Sequence, residues 1–201
     1  LKKEKLLISE EFQYGDLEIS KTSCRYHSEE AENVIFCDGF GMNHNKYFNY
    51  LPLNGNKGEY LIIRSETLQL YVAVKASVFI LPLGGDLYKV GATYNNYDKT
   101  HHPSEEARKY LEEKLKQMIT CEYEIVDQVA GIRPASADRK PLVGRHPEFY
   151  NLYCCNGFGS RGVLIAPTAS KNLVDFIEYK KPLPPEIDIK RFSKRYREIK
   201  N

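Results

Sequence analysis

Residues 57–94 contain four consecutive strand-length runs, and this feature restricts the possible fold more than any other. The runs are KGEYLIIRS, LQLYVAV, SVFILPL and LYKVGATY, with polar or glycine-containing junctions between them. Gly84-Gly85-Asp86 joins the last two, and such a sequence favours a hairpin because glycine accepts the positive φ angles of tight turns. The segment therefore predicts antiparallel β-structure.

A helix follows these strands. Ser104 is a suitable N-cap for SEEARKYLEEKLKQMI, and acidic residues occupy the first turn, where the helix dipole favours negative charge. Apolar side chains recur there at helical spacing: Ala107, Tyr110, Leu111, Leu115 and Met118. We expect this helix to flank the sheet.

The N-terminal part of the chain predicts short strands with polar turns over residues 6–37. The first of these is LLISEEF. The continuous apolar run from Val34 to Cys37 is typical of a strand buried on both faces. Residues 42–56 mix polar and aromatic side chains with turn residues, which indicates a linker or crossover.

The C-terminal part predicts three further elements. YEIVDQVAGIRPAS is a strand that we expect to stop at Pro134, and FYNLYCC is a short apolar strand. Beyond Gly162 an apolar stripe predicts a helix with Pro167 in its first turns or at a kink.

The composition excludes several classes of protein. The net charge of +2 favours neither nucleic acid nor membrane as a partner of the whole chain, and no apolar run approaches membrane-spanning length. The five cysteines form no C-x-x-C motif, and we interpret them as small buried side chains in a reducing cytoplasm. We expect a cytoplasmic protein with no metal site.

The stretch GFGSRG, with Gly157, Gly159 and Gly162, matches the dinucleotide pattern G-x-G-x-x-G literally. A dinucleotide fold also needs a following parallel strand that ends in an acidic residue, and here prolines and a basic segment follow instead. Two interpretations remain open for this stretch. It is either a turn selected for chain reversal, or a helix start whose free N–H groups approach an anionic ligand.

Three ordered motifs carry a family resemblance. They are Gly131 to Pro134, then Asp138 with Pro141 and Gly144, and then Gly157 to Leu164. In this order they resemble the C-terminal segment of the FAD-dependent D-amino acid oxidase family, which includes glycine and sarcosine oxidases. The similarity extends over most of residues 30–180.

The resemblance implies an α+β fold, with an antiparallel-sheet substrate domain, a flanking helix and the C-terminal part of an FAD-binding α/β domain. It implies part of the FAD-binding domain in residues 1–44, the substrate-binding domain in 45–127 and more of the FAD-binding domain in 128–181. Residues 182–201 would be a basic tail. The family's dinucleotide fingerprint is absent, so we expect the C-terminal portion of a longer flavoenzyme that lacks the N-terminal half here.

The resemblance also implies roles for individual residues. Arg133 matches the arginine that pairs with a substrate carboxylate, although it is also open to interpretation as a structural arginine. Arg161 is a second cation at the edge of the flavin. Phe79 stands where glycine-oxidase-like members have a tyrosine that helps hold the carboxylate, and Tyr71, Tyr94 or Tyr97 would have to replace that hydroxyl. The FAD would be non-covalent, and the residues expected to contact it are Gly131, Ile132, Gly157, Phe158, Gly159, Ser160, Arg161, Gly162 and Val163.

These roles predict an oxidoreductase that transfers hydride from a C–N bond of an amine or amino acid to FAD. We expect the 201-residue chain alone to be inactive. GSRG followed by Ala-Pro also resembles the oxidase part of the enzyme that matures 5-methylaminomethyl-2-thiouridine, which makes tRNA a second possible partner. A non-catalytic binding module on the same scaffold is the third interpretation.

Overall fold

The computed structural model describes residues 3–4 and 6–200, and these residues form two compact units. The first unit holds the chain up to Pro52 together with Lys140–Gly157 and the segment from Gly162 onward, and the second holds Leu53–Arg139 with Phe158–Arg161. The predicted boundaries at 44/45 and 127/128 differ from these. The reason is that two long strands, one starting at Leu53 and one ending at Ser136, pair along their whole length.

The regular elements of the described residues are as follows, in chain order. The strands are β1 (Leu17–Ile19), β2 (Cys24–Tyr26), β3 (Glu29–Ala31), β4 (Val34–Phe36), β5 (Leu53–Arg64), β6 (Val74–Lys75), β7 (Phe79–Gly84), β8 (Leu87–Gly91), β9 (Glu124–Ser136), β10 (Leu142–Arg145) and β11 (Leu152–Asn156). The helices are α1 (Glu105–Lys116), α2 (Gly162–Tyr179) and α3 (Ser193–Lys200). None of these helices combines the length and apolar character needed to cross a membrane.

The second unit contains a five-stranded antiparallel sheet in the order β6-β7-β8-β5-β9. The predicted hairpin at Gly84-Gly85-Asp86 is confirmed, and both glycines have positive φ. The run LQLYVAV is mostly not a strand, which corrects the prediction. Gln69 has a φ of 32°, in a region that interrupts extended backbone, and only the last residue of the run lies in β6.

The predicted helix is α1, and it covers one face of this sheet. The Ser104 hydroxyl accepts a hydrogen bond from the Ala107 amide at 3.3 Å, as its N-cap role requires. Leu111 and Leu115 are fully buried against Leu61 and Ile63 of β5. Because side chains alternate along a strand, the even-numbered residues of β5 lie on the opposite face, away from this core.

The prediction that β9 stops at Pro134 is wrong, because this strand continues to Ser136. Pro134 pairs with Gly55, and β9 lies at the edge of the sheet. An edge strand tolerates proline because the missing N–H can face away from the ladder. The expected linker over residues 42–56 likewise ends early, since β5 begins at Leu53.

The first unit contains a sheet in the order β10-β11-β4, in which β11 pairs antiparallel with β10 and parallel with β4. A second small sheet has the order β1-β2-β3. The prediction that residues 34–37 are buried on both faces is wrong for the described residues, since Ile35 is 41% exposed and Cys37 is exposed. The cause is that only one face of β4 is covered in the described part of the chain, since Phe36 is buried while its neighbours on both sides point to the other face. LLISEEF has no regular structure.

The segment predicted to be a basic tail packs into the first unit. Leu183, Ile187 and Ile189 are buried, and a 3-10 turn at Ile189–Phe192 leads into α3. The Arg195 Nε donates a hydrogen bond to the Tyr50 carbonyl oxygen at 2.7 Å. Apolar residues interspersed among the basic ones anchor the segment, which the charge count alone did not reveal.

Candidate functional site

A cavity of about 530 Å³ lies within the second unit, lined by residues of β5, β7, β8 and β9 and by Gly159 and Ser160. Small-molecule sites commonly have volumes of this order. The cavity brings together six of the residues that the sequence had singled out, namely Phe79, Gly131, Ile132, Arg133, Gly159 and Ser160. Tyr94 also lines it, although it is 70% exposed, whereas Tyr71 and Tyr97 do not line it.

Arg133 is half-buried in the wall of this cavity. Its Nη1 donates hydrogen bonds to the Asn56 Oδ1 at 2.9 Å and to the Thr93 carbonyl oxygen at 3.2 Å, and its guanidinium lies 4.5 Å from the centre of the Tyr94 ring. Burial lowers the pKa of the guanidinium from its usual value. Among the described residues these partners are all neutral, so the positive charge has no carboxylate counterpart.

Gly58 makes room for this arginine. A Cβ atom added at Gly58 would lie 2.0 Å from both Nη atoms of Arg133, which is far inside van der Waals contact. The guanidinium therefore rests directly on the backbone of β5 where a side chain would otherwise stand. This contact fixes the position of the charge relative to the strand.

Lys89 is a second cation in the cavity wall, and the sequence analysis missed it. Its Nζ lies 3.6 Å from the centre of the Tyr60 ring, which is a close cation–π contact. A Cβ at Gly91 would lie 2.9 Å from the Cβ of Tyr60 and 3.2 Å from the ring of Phe79, so this glycine leaves space for both rings. The signal in the sequence was partial, because the Gly84-Gly85 turn sets the register that pairs Gly91 with Phe79, whereas the pairing of β8 with β5 has no local signal.

The backbone near Gly131 is open toward the cavity. No atom lies within 4 Å of where its Cβ would be, and the Cβ of Gly159 would meet Ala135 only at ordinary contact distance, 3.8 Å. Gly159 has a φ of +55°, which favours glycine, and a bridge between Ala135 and Phe158 holds the turn against β9. A flat ring system can approach the main chain here, so these residues fit an isoalloxazine.

The remaining residues of the glycine stretch lie outside the cavity lining. Gly157 has a φ of +76°, its Cβ would lie 2.8 Å from Leu142, and its amide donates to the Asn156 Oδ1 at 2.8 Å, all of which suits a tight turn. Arg161 is exposed, and its amide donates to the Phe158 carbonyl oxygen.

In the first unit, α2 begins at Gly162, followed by Val163, as predicted, and it contains Pro167. Val163 is 92% and Leu164 79% exposed, so their own side chains do not bury the helix start. The first amides of a helix have no partners within it. A helix start of this kind carries a partial positive charge and is suited to an anionic group.

Comparison with known proteins agrees with this geometry. Residues 10–176 match the family described as FAD dependent oxidoreductase, DAO. Glycine oxidase of Bacillus subtilis (strain 168) is 30% identical over 156 residues, which are 73% of this chain and 41% of that protein. The crystal structure of glycine oxidase from Bacillus cereus has a TM-score of 0.67 at 25% identity, covering 83% of this chain and 49% of that one.

A bifunctional protein of tRNA 5-methylaminomethyl-2-thiouridine biosynthesis, from Legionella pneumophila (strain Philadelphia 1), is 28% identical over 178 residues. The match covers 74% of this chain and 27% of that protein. The chain thus spans less than half the length of each of these relatives. With 10–176 matched and the antiparallel sheet in place, the chain belongs to the DAO family of FAD-dependent oxidoreductases.

Proposed function

We propose that the protein containing this chain oxidises a C–N bond of an amine or amino acid. The observation that carries the proposal is the Arg133 guanidinium, which is fixed on the backbone of β5 and lacks a carboxylate partner among the described residues. It lies in the same cavity as the open backbone of Gly131. A half-buried charge without a counter-ion is costly unless a ligand supplies one.

Arg133 would hold the carboxylate of the substrate. Asn56 and Thr93 engage only Nη1, and no described residue pairs with Nη2 or Nε. These two nitrogens form one edge of the planar guanidinium, and such an edge binds a carboxylate through two parallel hydrogen bonds. Phe79 offers no hydroxyl, but the phenols of Tyr60 and Tyr94 line the same cavity. They would serve in place of the tyrosine expected at position 79.

FAD, the cofactor of this family, would supply the hydride acceptor. Gly131 and Ile132 would pack against its ring, with the segment Phe158 to Val163 beside it and Gly157 shaping the preceding turn. The N–H groups of that segment would stabilise negative charge on the reduced ring, because preorganised donors act best where charge develops. Arg161 would add positive charge at its edge. The oxidised substrate would leave as an imine that water hydrolyses.

A modified uridine of tRNA is the second candidate substrate. It is favoured by the similarity to the tRNA 5-methylaminomethyl-2-thiouridine biosynthesis protein and by the basic residues of α3. The same cavity would then hold the side group of the base, and the basic surface would contact phosphates. Free amino acids and tRNA are distinguishable as reductants of the bound flavin.

The test uses the full-length protein purified with its flavin. Anaerobic flavin bleaching is followed with sarcosine, with other free amino acids and with unfractionated tRNA, in the wild type and in Arg133→Met. Arg64→Met, at the exposed end of β5, is the matched control. We expect Arg133→Met to weaken binding of the carboxylate substrate at least about tenfold and the control to leave it unchanged. A full-length protein that binds no flavin would instead support the non-catalytic module.

A further inference from the structure

We infer that the cavity accepts a substrate with two anionic groups, and that Lys89 is a specificity-determining residue that recognises the second of them. The inference rests on the proposed function, because it takes Arg133 as the site of the first carboxylate. The substrate class is an amine that carries a carboxylate on each side of its nitrogen.

The two cations lie on the same face of the sheet. Arg133 pairs with Asn56 and Lys89 with Ile62, and these even-numbered residues of β5 share the face that also carries Gly58 and Tyr60. Each cationic group leans toward the other along this strand, since the guanidinium rests on Gly58 and the ammonium lies over Tyr60. Positions two residues apart on one face of a strand are separated by about 7 Å. This is the spacing of the backbone positions against which the two cationic side chains lie, and both side chains therefore line one wall of the cavity.

Neither cation is neutralised by the residues that the structure describes. In the described part of the chain no carboxylate forms an ion pair with Lys89 or Arg133, and the cavity lining contains no acidic side chain. Two acids lie on the same face, and both are exposed. Glu124 forms an ion pair with Arg64 of β5, and the other acid is Asp127, which pairs with Ile62. One of its oxygens accepts the amide of Gln128 at 2.8 Å. Two like charges on one cavity wall repel each other, and a dianion removes that repulsion.

The Tyr60 ring makes Lys89 a positioned charge. Lysine side chains are flexible, and an exposed ammonium alone selects weakly. Here the ring lies 3.6 Å from the ammonium and holds it at the cavity wall while leaving its N–H groups able to donate. Phe79 and Tyr60 form an apolar floor beside it, where water competes less with an anionic ligand.

The test compares two probes that differ only in the second carboxylate, iminodiacetate and sarcosine. Their dissociation constants are measured by calorimetry on the full-length protein, without turnover. We expect the wild type to prefer iminodiacetate, and Lys89→Met to weaken iminodiacetate about tenfold while changing sarcosine less than about twofold. Lys89→Arg should retain the preference. Lys109→Met, at an exposed position of α1, is the control and should behave as the wild type.

The outcomes separate this inference from the proposed function. If sarcosine binding depends on Arg133 but the second carboxylate adds nothing, the dianion is excluded while the proposed function stands. If neither probe binds, both are overturned. If Lys89 affects only the binding of ribose 5-phosphate, the second anion is a phosphate and the dicarboxylate is wrong. Salt dependence is a measurement that needs no variant, since raising ionic strength should weaken iminodiacetate binding more than sarcosine binding.

Discussion

The two faces of β5 differ in whether their charged side chains are paired with groups of opposite charge. On the face toward α1, Lys57 and Glu59 are almost fully buried and completely partnered. The Lys57 Nζ lies 2.6 Å from the Asp98 Oδ2 and 3.4 Å from the Glu59 Oε1. On the cavity face, Arg133 and Lys89 are less buried but have no carboxylate partner among the described residues.

The difference teaches how to separate structural charge from functional charge in one sheet. Glu59 also accepts hydrogen bonds from the Ser104 amide and hydroxyl, both at 2.8 Å, and from the Gln128 Nε2 at 2.9 Å. The cluster thereby connects β5 to the N-cap of α1 and to β9, and its charges are satisfied by the fold. The cations on the cavity face are positioned by the space beside a glycine and by contacts with tyrosine rings. Their positive charge is therefore available to an anionic ligand.

The largest expected effect is on the structural face. Lys57→Met should lower the free energy of unfolding of the second unit by about 3 kcal/mol, because it leaves Glu59 buried without its cation. Lys89→Met is the matched lysine on the cavity face, and it should cost less than about 1 kcal/mol because only the ring contact is lost. Urea unfolding followed by tyrosine fluorescence measures both. Equal costs for the two variants would contradict the distinction between the faces.

The next effect is on ligand affinity with little change in stability. Gly58→Ala places a Cβ where the Arg133 guanidinium lies, and this group is the far end of a flexible side chain that can move away. We expect the dissociation constant for sarcosine to rise about tenfold in the full-length protein, since the guanidinium leaves its position. The thermal midpoint measured in parallel should be nearly unchanged. Gly15→Ala, where no atom lies within 4 Å of the added Cβ, is the control.

The smallest effect is a dependence of stability on pH. Burial acts to raise the pKa of Glu59, but hydrogen bonds from Ser104 and Gln128 and the charge of Lys57 outweigh it, so the pKa is lowered from its usual 4.5. A lowered carboxyl pKa stabilises the fold above the unfolded value, and that stabilisation is lost as pH falls through the folded value. The urea midpoint should therefore decrease below about pH 4.5.

Glu59→Gln is the variant that checks this assignment. The urea midpoint of this variant should fall less steeply with decreasing pH than that of the wild type, because the residue no longer titrates. If the urea midpoint of the variant falls as steeply as that of the wild type, the loss of stability at low pH comes from other carboxylates. Measurements between pH 3 and 7 cover the range in which the two curves should separate.

Local sequence signals predicted some elements well. Ser104 with its acidic first turn gave α1, and Gly84-Gly85-Asp86 gave the β7–β8 hairpin, because capping and positive φ depend on neighbouring residues. The family was likewise evident from the spacing of the motifs around Arg133 and Gly157. These features need no knowledge of which strands pair.

Other features depended on neighbours distant in sequence. Pro134 lies inside a strand because β9 is at an edge, and Ile35 is exposed because the described residues cover only the opposite face of β4. Lys89 lies in the cavity wall because β8 pairs with β5 and β7, and no local sequence pattern predicts that strand order. Apolar runs show that a residue is extended, but they do not show what covers it.

The sequence by itself determined the family, the antiparallel class of the sheet and the identity of Arg133 as a candidate ligand for a carboxylate. The tertiary structure decided which charges are neutralised. Whether a cation finds a carboxylate depends on the strand register and on the face toward which each side chain points. A shift of one residue would exchange the two faces of β5, so the distinction between Lys57 and Lys89 exists only in the folded sheet.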